Sequence, residues 1–262
     1  MASLVYDRRG HGDPLVLIHG IGSRWQIWEP VLGGLEPHRD VIALDLPGFG
    51  ASPMPAPGTP AGVDSLVALV TAFLAEIGVE RPHVAGNSLG GLIVLEMARR
   101  GLVRSVTALS PAGFATRAET VFARANLRLS LAASRRLASR ADRLLRSRAA
   151  RQIAFSATVA HPTRMSGADA AANLRGLAYA PWFEATLPTV GPMAFSGGGA
   201  IAVPVTIGWG RKDRLLLPRQ ARRAAREIPE ARIVMLDDCG HVPTYDDPAL
   251  VSRVLLEGSR AA

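Results

Sequence analysis

The stretch His83-Val84-Ala85-Gly86-Asn87-Ser88-Leu89-Gly90-Gly91 constrains this chain more than any other. An apolar, β-favouring run enters it and an amphipathic run, Leu92 to Gly101, leaves it, which reads as a buried strand followed by a helix. Ser88 then sits in the turn between them. That turn must be tight, because glycines stand two residues before and two after the serine, where a Cβ would crowd strand against helix. Such a turn strains the serine and raises its hydroxyl above the sheet edge, and the helix that follows points its N-terminus at the same place, favouring negative charge there. Arg99 and Arg100 before Gly101 make a chemically sensible helix end. A serine between glycines also occurs in ordinary strand-to-helix turns, so the rest of the chain must decide whether Ser88 reacts.

A chain of 262 residues, 48% hydrophobic and 20% charged, can bury a large core and is globular rather than disordered. No apolar run approaches the roughly 20 residues that span a bilayer. The N-terminal residues lack the apolar stretch of a secretory signal, so a cytoplasmic protein is expected. The single cysteine, Cys239, excludes an intrachain disulfide, and no Cys/His spacing points to a metal. The formal net charge is +8, mostly from arginines spread along the chain, and no nucleic-acid motif accompanies it.

Before the serine, Ser3–Tyr6 offers a short edge strand, and Leu15–Ile18, a continuous apolar run ending in His19-Gly20-Ile21-Gly22, reads as a strand buried on both faces. A helical pattern follows from about Trp25 to Leu35. The strand Val41–Leu44 runs into the turn formers Asp45-Leu46-Pro47-Gly48-Phe49-Gly50, and Asp64 is placed to cap a helix through about Ile77. After the serine come a strand at Val103–Ser110, a helical, arginine-rich stretch over 113–200, a strand at Val203–Gly210, a helix from about Pro218, a strand at Ala231–Leu236 and a final helix from about Pro248. Alternating strands and helices predict an α/β fold with a mostly parallel sheet covered on both faces, and ligands at the carboxyl ends of its strands. The expected organisation is one core domain, residues 1–112 and 201–262, interrupted by a helical insertion, 113–200.

A serine hydroxyl is a poor nucleophile unless a base takes its proton, and the base needs an acid to hold its tautomer. In the chain order serine, acid, histidine, the base lies beyond Ser88, which leaves His161 inside the insertion and His241 after the last strand; the strand end selects His241. Between them, the strand Val203–Gly210 ends in Arg211-Lys212-Asp213-Arg214, so Asp213 is the acid. Asp237 and Asp238 lie too close before His241 to orient its ring, and Asp45 is expected to organise its own turn. A tetrahedral intermediate also needs donors for its oxyanion; the backbone N–H groups of Leu89 and Ile21 are the candidates.

Five segments, His19-Gly20-Ile21-Gly22, Asp45-Leu46-Pro47-Gly48-Phe49-Gly50, Gly86-Asn87-Ser88-Leu89-Gly90-Gly91, Gly208-Trp209-Gly210-Arg211-Lys212-Asp213 and Gly240-His241-Val242-Pro243, resemble the α/β-hydrolase fold family in that family's order. The resemblance covers all but the insertion, which occupies the place of that family's helical cap or lid. It implies a serine hydrolase of esterase or lipase type with a nucleophile elbow at Ser88, acting without metal or organic cofactor on a small-molecule acyl substrate. Family members with an aspartate nucleophile are excluded by Ser88. Carbon–carbon bond hydrolases commonly carry tryptophan after the catalytic histidine, where this chain has Val242. A perhydrolase or an acyltransferase on the same triad, and a receptor with little turnover, remain as alternatives.

Within the insertion, Leu137, Ala141, Leu144 and Leu145 recur at helical spacing with Arg136, Arg140 and Arg143 on another face. The plain reading is a cap helix with its leucines on the core; the alternative is transient contact with an anionic membrane surface or an acidic substrate. Tyr179, Trp182 and Phe183 cluster in an aromatic-poor chain and either line an apolar pocket over Ser88 or anchor the cap. Oligomeric state and substrate identity do not follow from these patterns.

Overall fold

The structure is a computed structural model that describes residues 3–260. Its strands are β1 (Tyr6–Gly10), β2 (Pro14–Ile18), β3 (Asp40–Leu44), β4 (His83–Asn87), β5 (Ser105–Leu109), β6 (Val205–Gly210) and β7 (Arg232–Leu236). They form one seven-stranded sheet in the order β1-β3-β2-β4-β5-β6-β7. Among the described residues only the β1–β3 pair is antiparallel; every other pair is parallel. The central strands β4 and β5 are buried throughout, as apolar runs without polar alternation require.

Helices α1 (Glu29–Leu35), α2 (Val63–Glu76) and α3 (Leu89–Arg99) connect the first five strands, with α1 preceded by a 3-10 turn at Trp25–Trp28. Between β5 and β6 lie α4 (Arg117–Leu137), α5 (Ala141–Leu144), α6 (Arg148–Phe155), α7 (Gly167–Ala178) and α8 (Phe183–Thr186), and no strand; α9 (Gln220–Glu227) follows β6 and α10 (Pro248–Gly258) follows β7. Successive strand residues point to opposite faces. Val16, Ile18, Ile42 and Leu44 therefore pack with α2 and α3, whereas Leu15, Leu17, Val41 and Ala43 pack with α1 and α10. Residues between β5 and β6 join both layers: Leu131, Trp182, Phe183 and Phe195 the first, Ala141, Leu145, Met165 and Leu174 the second.

Three local expectations change. The edge strand begins at Tyr6 and runs to Gly10, through charged Asp7, Arg8 and Arg9, because an exposed edge pairing only with β3 has no need of apolar side chains. Arg8 reaches across that pair to Asp40 at 2.7 Å. Helix α2 is capped by Gly62, with Asp64 in its first turn making no side-chain cap. The leucine pattern 137–145 does not form one helix: α4 gives way to a 3-10 turn at Ala138–Arg140 before α5. That change of phase buries Ala141 and Leu145 and leaves Leu137 and Leu144 over a third exposed. No described helix is long and apolar enough to cross a membrane.

Candidate active site

Ser88 follows β4 directly and caps α3 with φ 58° and ψ −114°, a conformation that costs a non-glycine residue strain and persists only when its surroundings enforce it. They do so through the backbone: Ser88 N–H donates to the Leu109 carbonyl at 3.0 Å, and the Ser88 carbonyl accepts from Ala112 N–H at 2.9 Å and Leu92 N–H at 3.1 Å. A Cβ on Gly86 would strike the Gly90 carbonyl, and one on Gly90 would strike the Ile18 and His19 carbonyls. The glycine turn after β2 passes directly over the serine, for a Cβ on Gly20 would lie 3.0 Å from Ser88 Cβ. Ile21 and Leu89 thus flank Ser88, and all three line one cavity. Neither Ile21 N–H nor Leu89 N–H donates to a backbone carbonyl among the described residues.

His241 and Asp213 come from the loops after β7 and β6, neighbouring strands, and both are buried. His241 Nδ1 lies 2.8 Å from Asp213 Oδ2. The other oxygen, Oδ1, accepts from Leu215 N–H at 2.9 Å and Leu216 N–H at 2.8 Å, so the carboxylate is locked by its own loop. Carboxylate acceptance at Nδ1 puts the ring proton there and leaves Nε2 as the basic nitrogen.

Two residues not recognised in the sequence tie these parts together. Asn87 Nδ2 donates to the His241 carbonyl at 2.8 Å and to the Leu109 carbonyl at 3.0 Å, joining the histidine loop to the serine turn. Buried Asp246 accepts from Gly240 N–H at 2.8 Å, Ala160 N–H at 3.0 Å and His161 N–H at 2.7 Å. Val242 N–H donates to the Thr158 carbonyl at 2.8 Å, so residues 158–161 of the insertion hold the histidine loop from outside. Gly240 is required there: a Cβ would sit 2.7 Å from Ala160 N.

The remaining histidines and acids have other partners. His19 Nδ1 donates to the Gly20 carbonyl at 2.7 Å while its Nε2 accepts from Leu46 N–H at 2.9 Å, which requires the neutral ring. Burial pushes its pKa below the ordinary 6.5 despite Asp45 nearby. Asp45 accepts from Trp25 N–H at 2.6 Å and Ala51 N–H at 2.8 Å, bracing its own turn and the start of the 3-10 segment. His161 pairs with Asp238 at 2.6 Å, and Asp237 with Arg211 at 2.5 Å. Cys239 is buried, which pushes its thiol up to about 12 and keeps it inert. No group of three or more His, Cys, Asp or Glu side chains that could hold a metal ion occurs among the described residues.

Ser88, Ile21 and Leu89 form one side of a cavity whose volume open to the centre of a water molecule is about 60 Å³. Ala112, Gly113, Leu215 and Leu216 extend it from the sheet edge, and Thr120, Ala123, Arg124 and Leu127 of α4 with Leu187, Val190 and Gly191 complete it from the insertion. The aromatic cluster is absent from this lining. Tyr179 is 67% exposed, at the end of α7. Trp182 packs on Gly48, whose carbonyl accepts its N–H at 3.3 Å, and Phe183 packs on the Gly22 turn. Both glycines have positive φ, so the turns after β2 and β3 offer bare backbone on which these rings clamp the insertion.

A model of the alpha/beta hydrolase family matches residues 15–254. A 2-hydroxy-6-oxo-2,4-heptadienoate hydrolase of Pseudomonas putida is 40% identical over 94 residues, which are 35% of this chain and only 34% of that relative's length. An uncharacterised protein of Mycobacterium tuberculosis is 30% identical over 255 residues, covering 92% of this chain and 73% of the relative. Among solved structures, a bacterial membrane phospholipase A superposes with a TM-score of 0.77 at 26% identity, covering 99% of this chain and 84% of that one. An enol-lactonase of Burkholderia xenovorans gives a TM-score of 0.76 at 20% identity, covering 97% and 95%, and shows the shared fold alone.

Proposed function

The chain belongs to the alpha/beta hydrolase family, and from that premise we propose that it cleaves a carboxylic ester or related acyl compound through an acyl-enzyme on Ser88. The observation that carries the proposal is the buried Asp213–His241 pair, linked through Asn87 to the turn bearing Ser88. In this reading His241 Nε2 takes the proton as Ser88 Oγ attacks the carbonyl carbon, and Asp213 stabilises the resulting imidazolium. The N–H groups of Ile21 and Leu89 receive the oxyanion, each worth about 3 kcal/mol in the transition state. The imidazolium returns its proton to the departing alcohol as the carbon–oxygen bond breaks. Water, deprotonated by the same histidine, then releases the acid and frees the serine. The insertion serves as a lid, since α4 and residues 187–191 roof the cavity over the serine.

A fluorophosphonate read by intact mass tests this. Stoichiometric labelling that disappears in Ser88→Ala and collapses in His241→Ala is the expected result, with ester turnover falling about 10⁴-fold or more in either variant. A folded wild-type protein that takes up no label would refute the nucleophile.

A second reading, hydrolysis of a carbon–carbon bond in a 2-hydroxy-6-oxodienoate, is favoured by the identity to the Pseudomonas putida relative that is named for such a substrate. Val242 in place of tryptophan after the histidine weighs against it. Assaying such a dienoate beside simple esters separates the two.

A further inference from the structure

The cavity accounts for only one face of α4. On that face, Thr120, Ala123 and Leu127 line the cavity beside Ser88, and Leu131 and Ser134 continue it at helical spacing, buried against the protein. The opposite face carries Ala118, Val121, Phe122, Ala125, Leu129 and Ala132, three or four residues apart along one side, and each of them is exposed. Val121, Phe122 and Leu129 leave 63%, 47% and 70% of their surface uncovered. A surface helix ordinarily turns polar residues outward; a lone apolar side chain there needs no explanation, but a contiguous row marks an interaction site. This row runs about 20 Å along the helix. The charge beside it has one sign. Arg117, Arg128 and Arg135 follow one flank of the row and Arg136 extends it at the C-terminal end, all four exposed. Arg135 meets Glu184 at 3.5 Å, whereas Arg117, Arg128 and Arg136 have no carboxylate within ion-pair distance among the described residues. Glu119, the one acid of α4, is buried and taken by Arg219 and Arg223. Past the helix end, Arg140, Arg143 and Arg146 add exposed positive charge, and Asp142 among them is neutralised by Arg175 at 2.8 Å.

Two properties select the occupant of this face. A second copy of the chain laid along it would set arginines against arginines, with no exposed carboxylate on α4 to relieve them. A row of apolar side chains on a convex helix, flanked by arginines, instead matches a flat surface that is apolar at depth and anionic above. Such a helix lies in the plane of a bilayer with its apolar side about 5–10 Å below the headgroups, while arginine stems reach back to the phosphates. We propose that the outer face of α4 docks on a membrane surface containing anionic phospholipid. Val121, Phe122 and Leu129 enter the acyl boundary, and Arg117, Arg128 and Arg136 meet the phosphates. Docking lays the roof of the cavity against the lipid, and it stands independently of the chemistry at Ser88.

The experiment measures partition of the full chain onto vesicles of phosphatidylcholine alone and of phosphatidylcholine with about one-third phosphatidylglycerol. Binding is expected on the anionic vesicles, at least about tenfold tighter than on the neutral ones and weakening as salt rises. The double variants Phe122→Ser/Leu129→Ser and Arg128→Gln/Arg136→Gln change only exposed side chains, so their Tm should stay at the wild-type value while each loses about tenfold or more in partition. Because Cys239 is buried and inert, an environment-sensitive fluorophore attached through Leu129→Cys reports that position alone. Its emission should shift to the blue on anionic vesicles, and the same label at the exposed Glu230→Cys should not move. Absence of binding to either vesicle overturns the proposal, as does equal binding to both. Partition that neither double variant alters would place any contact elsewhere on the positively charged chain and overturn it too. Concentration-dependent dimerisation that Leu129→Ser abolishes, without vesicle binding, would give this face to a second copy instead.

Discussion

The Asn87 amide donates to the carbonyl at the end of β5 and to one in the loop after β7, and Ser88, the candidate nucleophile, is the next residue. The distance in sequence between Asn87 and His241 hides that link: any small polar residue satisfies the pattern between Gly86 and Ser88. Asn87→Ala should lower kcat roughly 10–100-fold while KM moves less than about threefold, because it loosens the approach of His241 to Ser88 without touching the cavity lining. Ester kinetics check this, and a KM-dominated loss would contradict it. Ser88, Asp213 and His241 were legible because each stands at the end of an apolar run with glycine close by. Arg124 was one arginine among many, and only the fold shows that it lines the cavity beside Ser88.

At the level of elements, the insertion is fastened to the core at three places by different chemistry. Trp182 and Phe183 clamp it to bare glycine turns, Asp246 ties residues 160 and 161 to Gly240, and Glu119 joins α4 to α9. Glu119 also closes a capping box with Thr116, whose N–H donates to Oε2 at 2.8 Å. Burial acts to raise its pKa, yet the Thr116 hydrogen bonds and the Arg219 and Arg223 guanidiniums more than offset this and hold it below the ordinary 4.5. Glu119→Gln should cost about 2 kcal/mol of unfolding free energy, since it leaves two arginines unpaired against α4. Asp246→Asn replaces an acceptor of three N–H groups by one that presents its own N–H to them; it should cost about 2 kcal/mol and slow fluorophosphonate labelling through the displaced His241 loop. Urea titration measures both, and an Asp246→Asn protein labelled at the wild-type rate would dissociate that anchor from the site. The aromatic trio shows the limit of reading elements from sequence. Clustering identified Tyr179, Trp182 and Phe183 as a group, but only the fold sets Trp182 and Phe183 on the Gly48 and Gly22 turns and leaves Tyr179 exposed.

The whole molecule carries a pH dependence with a definite sign. His19 and His83 are both held below the ordinary 6.5 by burial, and His83 Nε2 has no partner to receive a proton's charge. In the unfolded chain they protonate near pH 6.5 while the folded protein resists, so the unfolded state binds more protons and stability falls as pH drops through that value. Below the ordinary 4.5 of Glu119 a second loss begins for the same reason, complete only when the pH passes its lowered folded value. The Tm should drop by several degrees between about pH 7.5 and about pH 5, and less so in His83→Gln; a flat profile would contradict this. By itself the sequence determined the layered sheet and the strand end on which Ser88 stands, because strand periodicity, glycine turns and helix ends are local properties written at fixed spacing. Only the tertiary structure decided the phase break after α4, the roof of the cavity and the one charge within it. A cavity is bounded by segments as remote as Ile21, Arg124, Leu187 and Leu215, and periodicity says which face of a segment is buried without saying against what.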